Sequence, residues 1–440
     1  MSPCAVFRNA IASLIVPLAC VLSCCPQDSI GDGAKNDEQL KFVIYLSRHG
    51  VRSPTGKPAQ YNPYSAAPWP DWSVPPGYLT DHGYKLMTIF GSYDRARLAA
   101  DGLLESTGCT DAGRVTILAD SDQRTRETGR AIAEGMFPGC SVDVHALLEG
   151  MNDPLFHPSM SEDLNRDLAV AAVAGRIGGD PSNLTEGYRP QLESLDRILA
   201  GCGHATTSAR TSIFEIPARL SAGKSDHPTE LKGPLSVAST LSENLLLEYT
   251  EGMKPPNLAW GCMDEAALRN IMQLHTAAAD FAQRTPIIAR MYASNLLDSI
   301  LKAMEQSAEA KPVPGAPGKP GDRVLFLIGH DTNMATVAGA LGLTWIIDGR
   351  RDDTPPGGAL VFELWRSASG VYSVRALYTA QTLDQMRESA VLSLNSPPAR
   401  VPVFVPGCSL QNQSCTLDGF SIAVRRATNP AFAGPPLPGR

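Results

Sequence analysis

The sequence predicts an α/β fold, with a mostly parallel central sheet flanked by helices and a smaller, mainly helical second domain formed by insertion. Two short apolar runs, residues 42–46 and 323–328, have the composition of strands buried on both faces, and each leads into a glycine among charged side chains. Strands and helices alternate over residues 42–136, which is typical of parallel strands joined by helices. Helical periodicity weakens between residues 153 and 232, and this break indicates the insertion.

Four parts of the chain follow from these patterns. We expect a signal peptide over residues 1–24, a polar tether over 25–39, an α/β catalytic domain over 40–150 and 320–440, and a helical domain with its linker over 151–319. The linker is predicted at residues 311–321, which are rich in Pro and Gly.

The N-terminus has the composition of an export signal. Arg8 is the only charged residue before Asp28, and residues 10–23 are apolar but too few to span a bilayer. Residues 21–24 loosely resemble a bacterial lipoprotein processing site, in which Cys24 would carry a lipid anchor. Leu22 fits such a site poorly, so ordinary cleavage nearby is the alternative. Both interpretations predict a periplasmic or secreted protein.

Charge and composition limit the partners. The chain of 440 residues is 43% hydrophobic and 19% charged, with a net charge of −7. Attraction to nucleic acid or to an anionic membrane through bulk charge is therefore not expected. We expect a monomer that acts on a small molecule, with no membrane contact beyond a lipid on Cys24.

Cysteine usage favours disulfides over metal sites. An even number in an exported chain, without C-x-x-C spacing, predicts disulfides and no zinc. Cys408 and Cys415 close a small loop and are predicted to pair. Cys109 and Cys140 flank a strand–helix unit and could pair, which leaves Cys202 with Cys262. The six cysteines beyond the leader are Cys109, Cys140, Cys202, Cys262, Cys408 and Cys415.

The remaining elements follow from periodicity in chain order. A segment with seven prolines and five Tyr or Trp residues, 54–79, forms either an ordered rim around a substrate mouth or a structural cover over the sheet. Further strands are predicted at 114–119 and, as an antiparallel pair closing the sheet edge, at 357–365 and 371–376. Helices are predicted at 81–104, from an N-cap at Asp122 to 136, and at 234–250, 264–284, 286–307 and 334–341.

Arg48, His49 and Arg52 follow the first strand, at the end of a parallel sheet where ligands bind. Arginine forks match phosphate oxygens, and three such groups repel one another unless an anion lies between them. The like charges should keep His49 neutral, and a neutral imidazole is a nucleophile. Taken alone, an Arg-His-Gly triplet more often only positions a carboxylate or a carbonyl. The buried strand and the second motif favour the phosphate site.

The second motif, residues 329–333 (Gly-His-Asp-Thr-Asn), follows the strand at 323–328. Arg124, in the first turn of another helix, can point into the same crevice. Arg126 faces elsewhere and is interpreted as a surface or structural arginine. His275 lies on an apolar helical stripe, so a core histidine is the favoured interpretation.

Together, residues 48–55 and 329–333 resemble the motifs of the histidine acid phosphatases, in particular the bacterial periplasmic phytase and glucose-1-phosphatase group. Residues 120–126, 353–358 and 392–398 match the interior of that group, so the resemblance covers nearly the whole mature chain. The resemblance implies an acid phosphatase without metal or other cofactor. His49 would attack phosphorus, and Asp331 would protonate the leaving alcohol, which predicts an acid optimum.

The resemblance also assigns ligands to the phosphate and to the substrate. Arg48, Arg52, Arg124 and His330 would hold the phosphoryl oxygens, and Thr55, Thr332, Asp120 and Glu251 would lie against the rest of the substrate. Phytases of the group tend to carry Lys after the threonine, where this chain has Gly56 and then Lys57. Glu251 is similar to an acidic residue at the mouth of the sugar-phosphatase members, although it could be only an exposed carboxylate at a helix end. These differences predict hydrolysis of sugar monophosphates at least as good as that of phytate.

Two other functions use part of this machinery. A phosphomutase would use the same phosphohistidine, but the export signal and the cysteines argue for a hydrolase outside the cytoplasm. A non-catalytic protein that binds phospho-ligands would need the arginines but neither His49 nor Asp331.

Overall fold

A computed structural model describes residues 38–158, 165–201, 210–225 and 227–433. The chain from Glu38 onward forms one compact unit. The predicted signal peptide, with Cys24, and nearly all of the predicted tether lie outside the described residues, and the first strand begins at Gln39. Within these ranges no helix is both long and apolar enough to cross a membrane.

The described residues form twelve strands: β1 (Gln39–Arg48), β2 (Val115–Ala119), β3 (Val144–His145), β4 (Arg219–Ala222), β5 (Thr229–Lys232), β6 (Val324–Gly329), β7 (Ile346–Ile347), β8 (Arg350–Arg351), β9 (Ala359–Arg366), β10 (Tyr372–Ala380), β11 (Ala399–Val403) and β12 (Ser414–Thr416). They also form twelve α-helices: α1 (Pro58–Tyr61), α2 (Asp81–Ala100), α3 (Gln123–Met136), α4 (Arg166–Arg176), α5 (Ser182–Gly187), α6 (Arg189–Leu199), α7 (Pro234–Thr250), α8 (Glu265–Ala282), α9 (Pro286–Glu309), α10 (Asp331–Leu341), α11 (Leu383–Arg387) and α12 (Leu417–Ala427).

The main sheet has the strand order β11-β10-β9-β1-β6-β2-β3, with β12 also paired to β10. Strands β1, β6, β2 and β3 are parallel, whereas β9 to β12 are antiparallel. The α/β fold class is therefore confirmed, and β9 with β10 is the predicted antiparallel pair. The antiparallel part is larger than predicted because β11 and β12 extend it. Pro402 interrupts the short alternating run of β11, and β12 has only three residues, so neither gives a clear strand signal.

Helices cover both faces of the sheet. Phe90 of α2 and Ile132 of α3 pack on one face, and Leu296 of α9 packs with α10 and α12 on the other. The insertion between β3 and β6 has a core of its own, to which Leu195 and Leu245 belong. Each such leucine contributes about 1.5–3 kcal/mol when it is buried. Although α9 lies within the predicted insertion, it packs on the sheet.

Local signals explain where several helices begin. Thr80 is the N-cap of α2 and accepts a hydrogen bond from the Gly83 N–H. Asp264 is the N-cap of α8 and accepts one from the Ala267 N–H. Pro234 and Pro286 occupy the first turns of α7 and α9, where a missing N–H costs nothing. The proline-rich segment 54–79 is anchored by Trp69, which packs edge-on against Trp260 of the insertion.

Two disulfides join pairs of described cysteines. Cys109 is bonded to Cys140, and Cys408 to Cys415, as predicted. Cys202 lies outside the described residues, so its pairing with Cys262 stays a prediction.

Candidate active site

Strands β1, β6 and β2 end at the same edge of the sheet. Arg48 lies opposite Gly329, and Ala119 lies opposite Ile328. Because the strands are parallel and adjacent, the residues that follow them leave the sheet side by side. His49, His330 and Asp120 are therefore brought together from three separate parts of the chain.

The backbone around His49 is held from two sides. Its N–H donates to the Gly329 carbonyl at 3.0 Å, and its carbonyl accepts from the Gly357 N–H at 2.9 Å. Gly50 is required by close packing, because a Cβ there would lie 2.8 Å from Cγ of Met87. The nucleophile candidate is thus fixed before any ligand arrives.

His49 is 2% exposed, and its Nδ1 lies 2.8 Å from the Gly50 carbonyl. Nδ1 must carry the proton that it donates to this carbonyl, so Nε2 keeps its lone pair. Burial, followed by the charges of Arg48 and Arg124, lowers the pKa of His49 well below its usual value. The ring is therefore neutral, as the sequence analysis predicted, although burial is a larger cause than the like charges.

Glu243 of α7 joins two of the arginines. It accepts hydrogen bonds from Nη2 of Arg48 and, at 3.1 Å, from Nη2 of Arg52. The Arg48 Nη1 donates to the Thr354 carbonyl at 2.7 Å, and the Arg52 Nη1 to the Ser53 carbonyl at 2.9 Å. Burial opposes the ionisation of Glu243, but Arg52 and Arg48 outweigh it and lower its pKa.

Arg124 lies in the first turn of α3 and points into the same site. Its Nη2 is 3.5 Å from Nδ1 of His330 and also pairs with Asp122. Asp122 occupies the N-cap position of α3, as predicted, but its side chain makes no capping bond. The Nε atoms of Arg48, Arg52 and Arg124 are buried and hydrogen-bonded to no atom of the described chain. Arg126 pairs with Glu149 on the surface at 3.6 Å.

Asp120 orients His330 rather than facing solvent. Its Oδ2 accepts from Nε2 of His330 at 2.6 Å and from Nε2 of His157 at 2.7 Å. The His49 and His330 rings lie edge to face, with centroids 5.6 Å apart. Asp120 is therefore placed to support His330, although the sequence analysis assigned it to the substrate itself.

Asp331 begins α10 and faces the arginines. Its Oδ2 lies 3.5 Å from Nη2 of Arg48 and 3.7 Å from Nε2 of His275. Burial raises its pKa, but Arg48 and His275 outweigh burial and hold the pKa well below its usual range. Asp331 is therefore ionised in the free protein, and a proton has to reach it with the substrate.

The substrate residues predicted from sequence lie at different distances from this cluster. Thr332 is the second residue of α10, and Thr55 is exposed beside Gly77, next to Arg124. Glu251 is the C-cap of α7 and accepts a 2.6 Å hydrogen bond from the Thr80 hydroxyl. This bond ties Glu251 to the start of α2 rather than to the arginines.

Three site residues were missed or misjudged from sequence. Glu243 is the only charged residue between Pro234 and Leu247, and this isolation in an apolar helix could have revealed it. His275, interpreted as a core histidine, instead reaches Asp331 from α8. His157 lies in a segment without periodicity, so no sequence signal pointed to it.

Among the residues that the structure describes, two groups of side chains bring ligand-type atoms within 4.8 Å of one another: Asp120 with His157 and His330, and Glu243 with His275 and Asp331. Arg124 adjoins the first group, and Arg48 contacts the second. Fixed positive charges at these positions oppose a metal cation and favour an anion.

Comparison with known proteins agrees with this arrangement. Residues 39–379 match the histidine phosphatase superfamily (branch 2). The chain belongs to this superfamily. The phytase AppA of Escherichia coli (strain K12) is 37% identical over 95% of this chain and 97% of its own length. The glucose-1-phosphatase of Salmonella typhimurium is 30% identical over 88% of this chain and 92% of its own length.

Solved structures give the same result. The Hafnia alvei phytase in complex with tartrate superposes with a TM-score of 0.82 at 34% identity, covering 91% of this chain and 99% of that one. The Citrobacter braakii phytase gives 0.81 at 35% identity, covering 90% and 99%. This histidine phosphatase is thus an enzyme that hydrolyses phosphomonoesters, as the paired motifs predicted.

Proposed function

We propose that the enzyme hydrolyses its substrates through a phosphohistidine on His49. The observation that carries the proposal is the state of that ring, which is neutral, buried, fixed through Nδ1 and surrounded by three arginines. The arginines would bind the three non-bridging oxygens, where the transition state spreads its negative charge. His49 would then need no rearrangement to meet phosphorus.

Nε2 of His49 would attack phosphorus while the ester P–O bond breaks. The departing oxygen would take a proton from Asp331 and leave as an alcohol. Asp331 would next accept a proton from a water molecule that attacks the phosphohistidine, so that free phosphate is released and the lone pair on Nε2 is restored. Electrons and protons balance without any cofactor.

The proton on Asp331 has to come from the substrate, since Arg48 keeps the free carboxyl ionised. A phosphomonoester carries one ionisable proton below a pKa of about 6. A bound monoanion could pass this proton to Asp331 once the phosphate has neutralised the field of the arginines. We therefore expect kcat/KM to be highest at acid pH and to fall above about pH 6; a maximum above neutrality would contradict Asp331 as the acid.

For the natural substrate we propose phosphate esters of polyols and sugars, with phytate and glucose-1-phosphate as candidates. One relative is named as a phytase and another as a glucose-1-phosphatase, which supports these two candidates. The expected preference for sugar monophosphates depended on Glu251 at the mouth, and its bond to Thr80 weakens that argument. The ratio of kcat/KM for the two compounds at acid pH decides between them.

We further propose that the enzyme acts as a monomer in the periplasm or after secretion, with a lipid on Cys24 as the alternative anchor. The apolar leader and the two disulfides support export. A phosphomutase or a non-catalytic binding protein would need the same arginines.

A pre-steady-state experiment separates these functions. With p-nitrophenyl phosphate, the proposed route gives a burst of one nitrophenolate per enzyme when dephosphorylation is slow, and then release of inorganic phosphate. A phosphomutase would return the phosphoryl group to a second hydroxyl, and a binding protein would release nothing.

A further inference from the structure

One buried oxygen binds two imidazoles. The Oδ2 atom of Asp120 is 2.6 Å from Nε2 of His330 and 2.7 Å from Nε2 of His157, while Oδ1 accepts from the Ser121 N–H at 2.7 Å. Asp120 is 1% exposed, whereas the side chain of His157 is 46% exposed. The two rings are 5.3 Å apart, so each imidazole experiences the charge of the other.

His330 can donate to a phosphoryl oxygen only when it carries two protons. Its Nε2 faces Asp120, which accepts and cannot donate, because its hydrogen bonds from His157 and His330 overcome burial and hold its pKa well below the usual range. Nδ1 faces Arg124 and the phosphate site. A proton on Nδ1 as well as on Nε2 makes His330 an imidazolium.

We propose that His157 is a positioning residue which limits the proton affinity of His330 by competing for the same oxygen of Asp120. The inference rests on the proposed role of His330 as a phosphate ligand. His157 withdraws part of the hydrogen bond that would support an imidazolium at His330, and when protonated it adds a repelling charge. It thereby sets the pH above which His330 stops binding phosphate.

The groups around His157 give the order of protonation. Asp120 and Asp122 of the β2–α3 connection attract a proton to His157, and Arg124 in the first turn of α3 opposes one. His330 faces it from the β6–α10 connection. The hydrogen bond to Asp120 raises the pKa of His157. Burial lowers that of His330. His157 is therefore protonated first, and its charge then hinders the protonation of His330.

Two substitutions of opposite sign test this inference. His157→Asn keeps a neutral donor to Asp120 but removes the charge, so the pH at which His330 loses its second proton should move up by about one unit. The variant should gain up to about tenfold in kcat/KM on this His330 limb, as far as the limit at about pH 6 that the substrate proton sets. His157→Lys keeps a permanent charge, so the limb should move to lower pH. His227→Asn, at an exposed histidine of the insertion, is the matched control and should leave the profile unchanged.

Nuclear magnetic resonance of ¹³C-labelled histidine measures the same effect without turnover, because the His330 titration should shift in the same two directions. A loss of kcat/KM that is uniform with pH in both variants, or an unmoved His330 titration, would overturn the inference. Failure of the proposed function would appear differently, as wild-type protein without a burst.

Discussion

Two buried clusters of charged side chains differ in whether the protein itself provides partners for all their hydrogen-bond donors. Beneath α2, Arg97 donates from Nη1 to Asp101 at 2.8 Å and to Glu363 at 3.1 Å, and from Nη2 to the Tyr45 hydroxyl at 2.9 Å. Glu363 also accepts from Arg400 and Trp365. At the active site, Glu243 serves both Arg48 and Arg52, and the Nε donors of all three site arginines bond to no described protein atom.

This difference separates a structural cluster from a functional one. Charges buried together are tolerated when hydrogen bonds and opposite charges compensate them. In the α2 cluster the protein supplies that compensation itself. In the active-site cluster the Nε donors of the arginines remain available to an anion, which is a property of a binding site. Substitutions in the active-site cluster should therefore impair turnover, and substitutions in the α2 cluster should impair folding.

The largest effect is expected from His49→Ala. Removal of the nucleophile should lower kcat by at least about 10⁴-fold, because the attacking nitrogen is lost while the phosphate ligands remain. Thermal unfolding should change far less than turnover, since the ring donates only to its neighbouring carbonyl and otherwise contacts the His330 ring. Retention of turnover close to that of the wild type would exclude the phosphohistidine.

Arg97→Met tests the structural cluster. Leaving Glu363 and the Tyr45 hydroxyl without this partner should destabilise the fold by about 3–5 kcal/mol, measured by urea unfolding. Turnover per folded molecule should stay within about twofold of the wild type, since the site lies at another part of the sheet. A selective fall in kcat with unchanged stability would remove the distinction between the clusters.

Arg124→Ala tests the functional cluster, with Arg126→Ala as its matched control two residues away. Loss of one charged hydrogen bond to the phosphate, about 1.5–3 kcal/mol, should lower kcat/KM by roughly 10- to 150-fold. The control removes only the surface pair with Glu149 and should change kcat/KM by less than about twofold. Equal losses in both variants would argue against a specific phosphate contact.

The smallest effect is expected from Glu251→Gln. The Oε1 of Gln can still accept from the Thr80 hydroxyl, so only the charge on this hydrogen bond is lost and stability should fall by about 1 kcal/mol or less. The ratio of kcat/KM for phytate to that for glucose-1-phosphate should stay within about twofold. A clear rise in the ratio would instead return Glu251 to the substrate mouth, where its charge would repel a polyphosphate.

What the sequence could predict depended on distance along the chain. Each strand end carries its own motif, so Arg48 and His49 could be proposed from local chemistry, and the resemblance carried by the two motifs together implied His330 and Asp331. Parallel pairing explains why they meet. Glu243 belongs to a helix about two hundred residues from Arg48, and nothing local says that it faces the sheet. Its contact arises from how the insertion packs.

The same limit applies to electrostatics. The charges of the arginines predicted a neutral His49, but burial, which is a property of the fold, is the larger cause. For Asp331 the resemblance implied a proton donor, whereas Arg48 and His275 lower the pKa of its carboxyl in the folded chain. His275 could not be connected with Asp331 from an apolar stripe on α8. Burial and partners distant in sequence thus decide the protonation states of His49 and Asp331.

Direct capture of the intermediate tests the central claim. Enzyme mixed with substrate for milliseconds and quenched in alkaline detergent, which preserves phosphohistidine, should yield a peptide that carries one phosphoryl group on His49. Phosphate on a different residue, or an unmodified His49 during active turnover, would contradict the account.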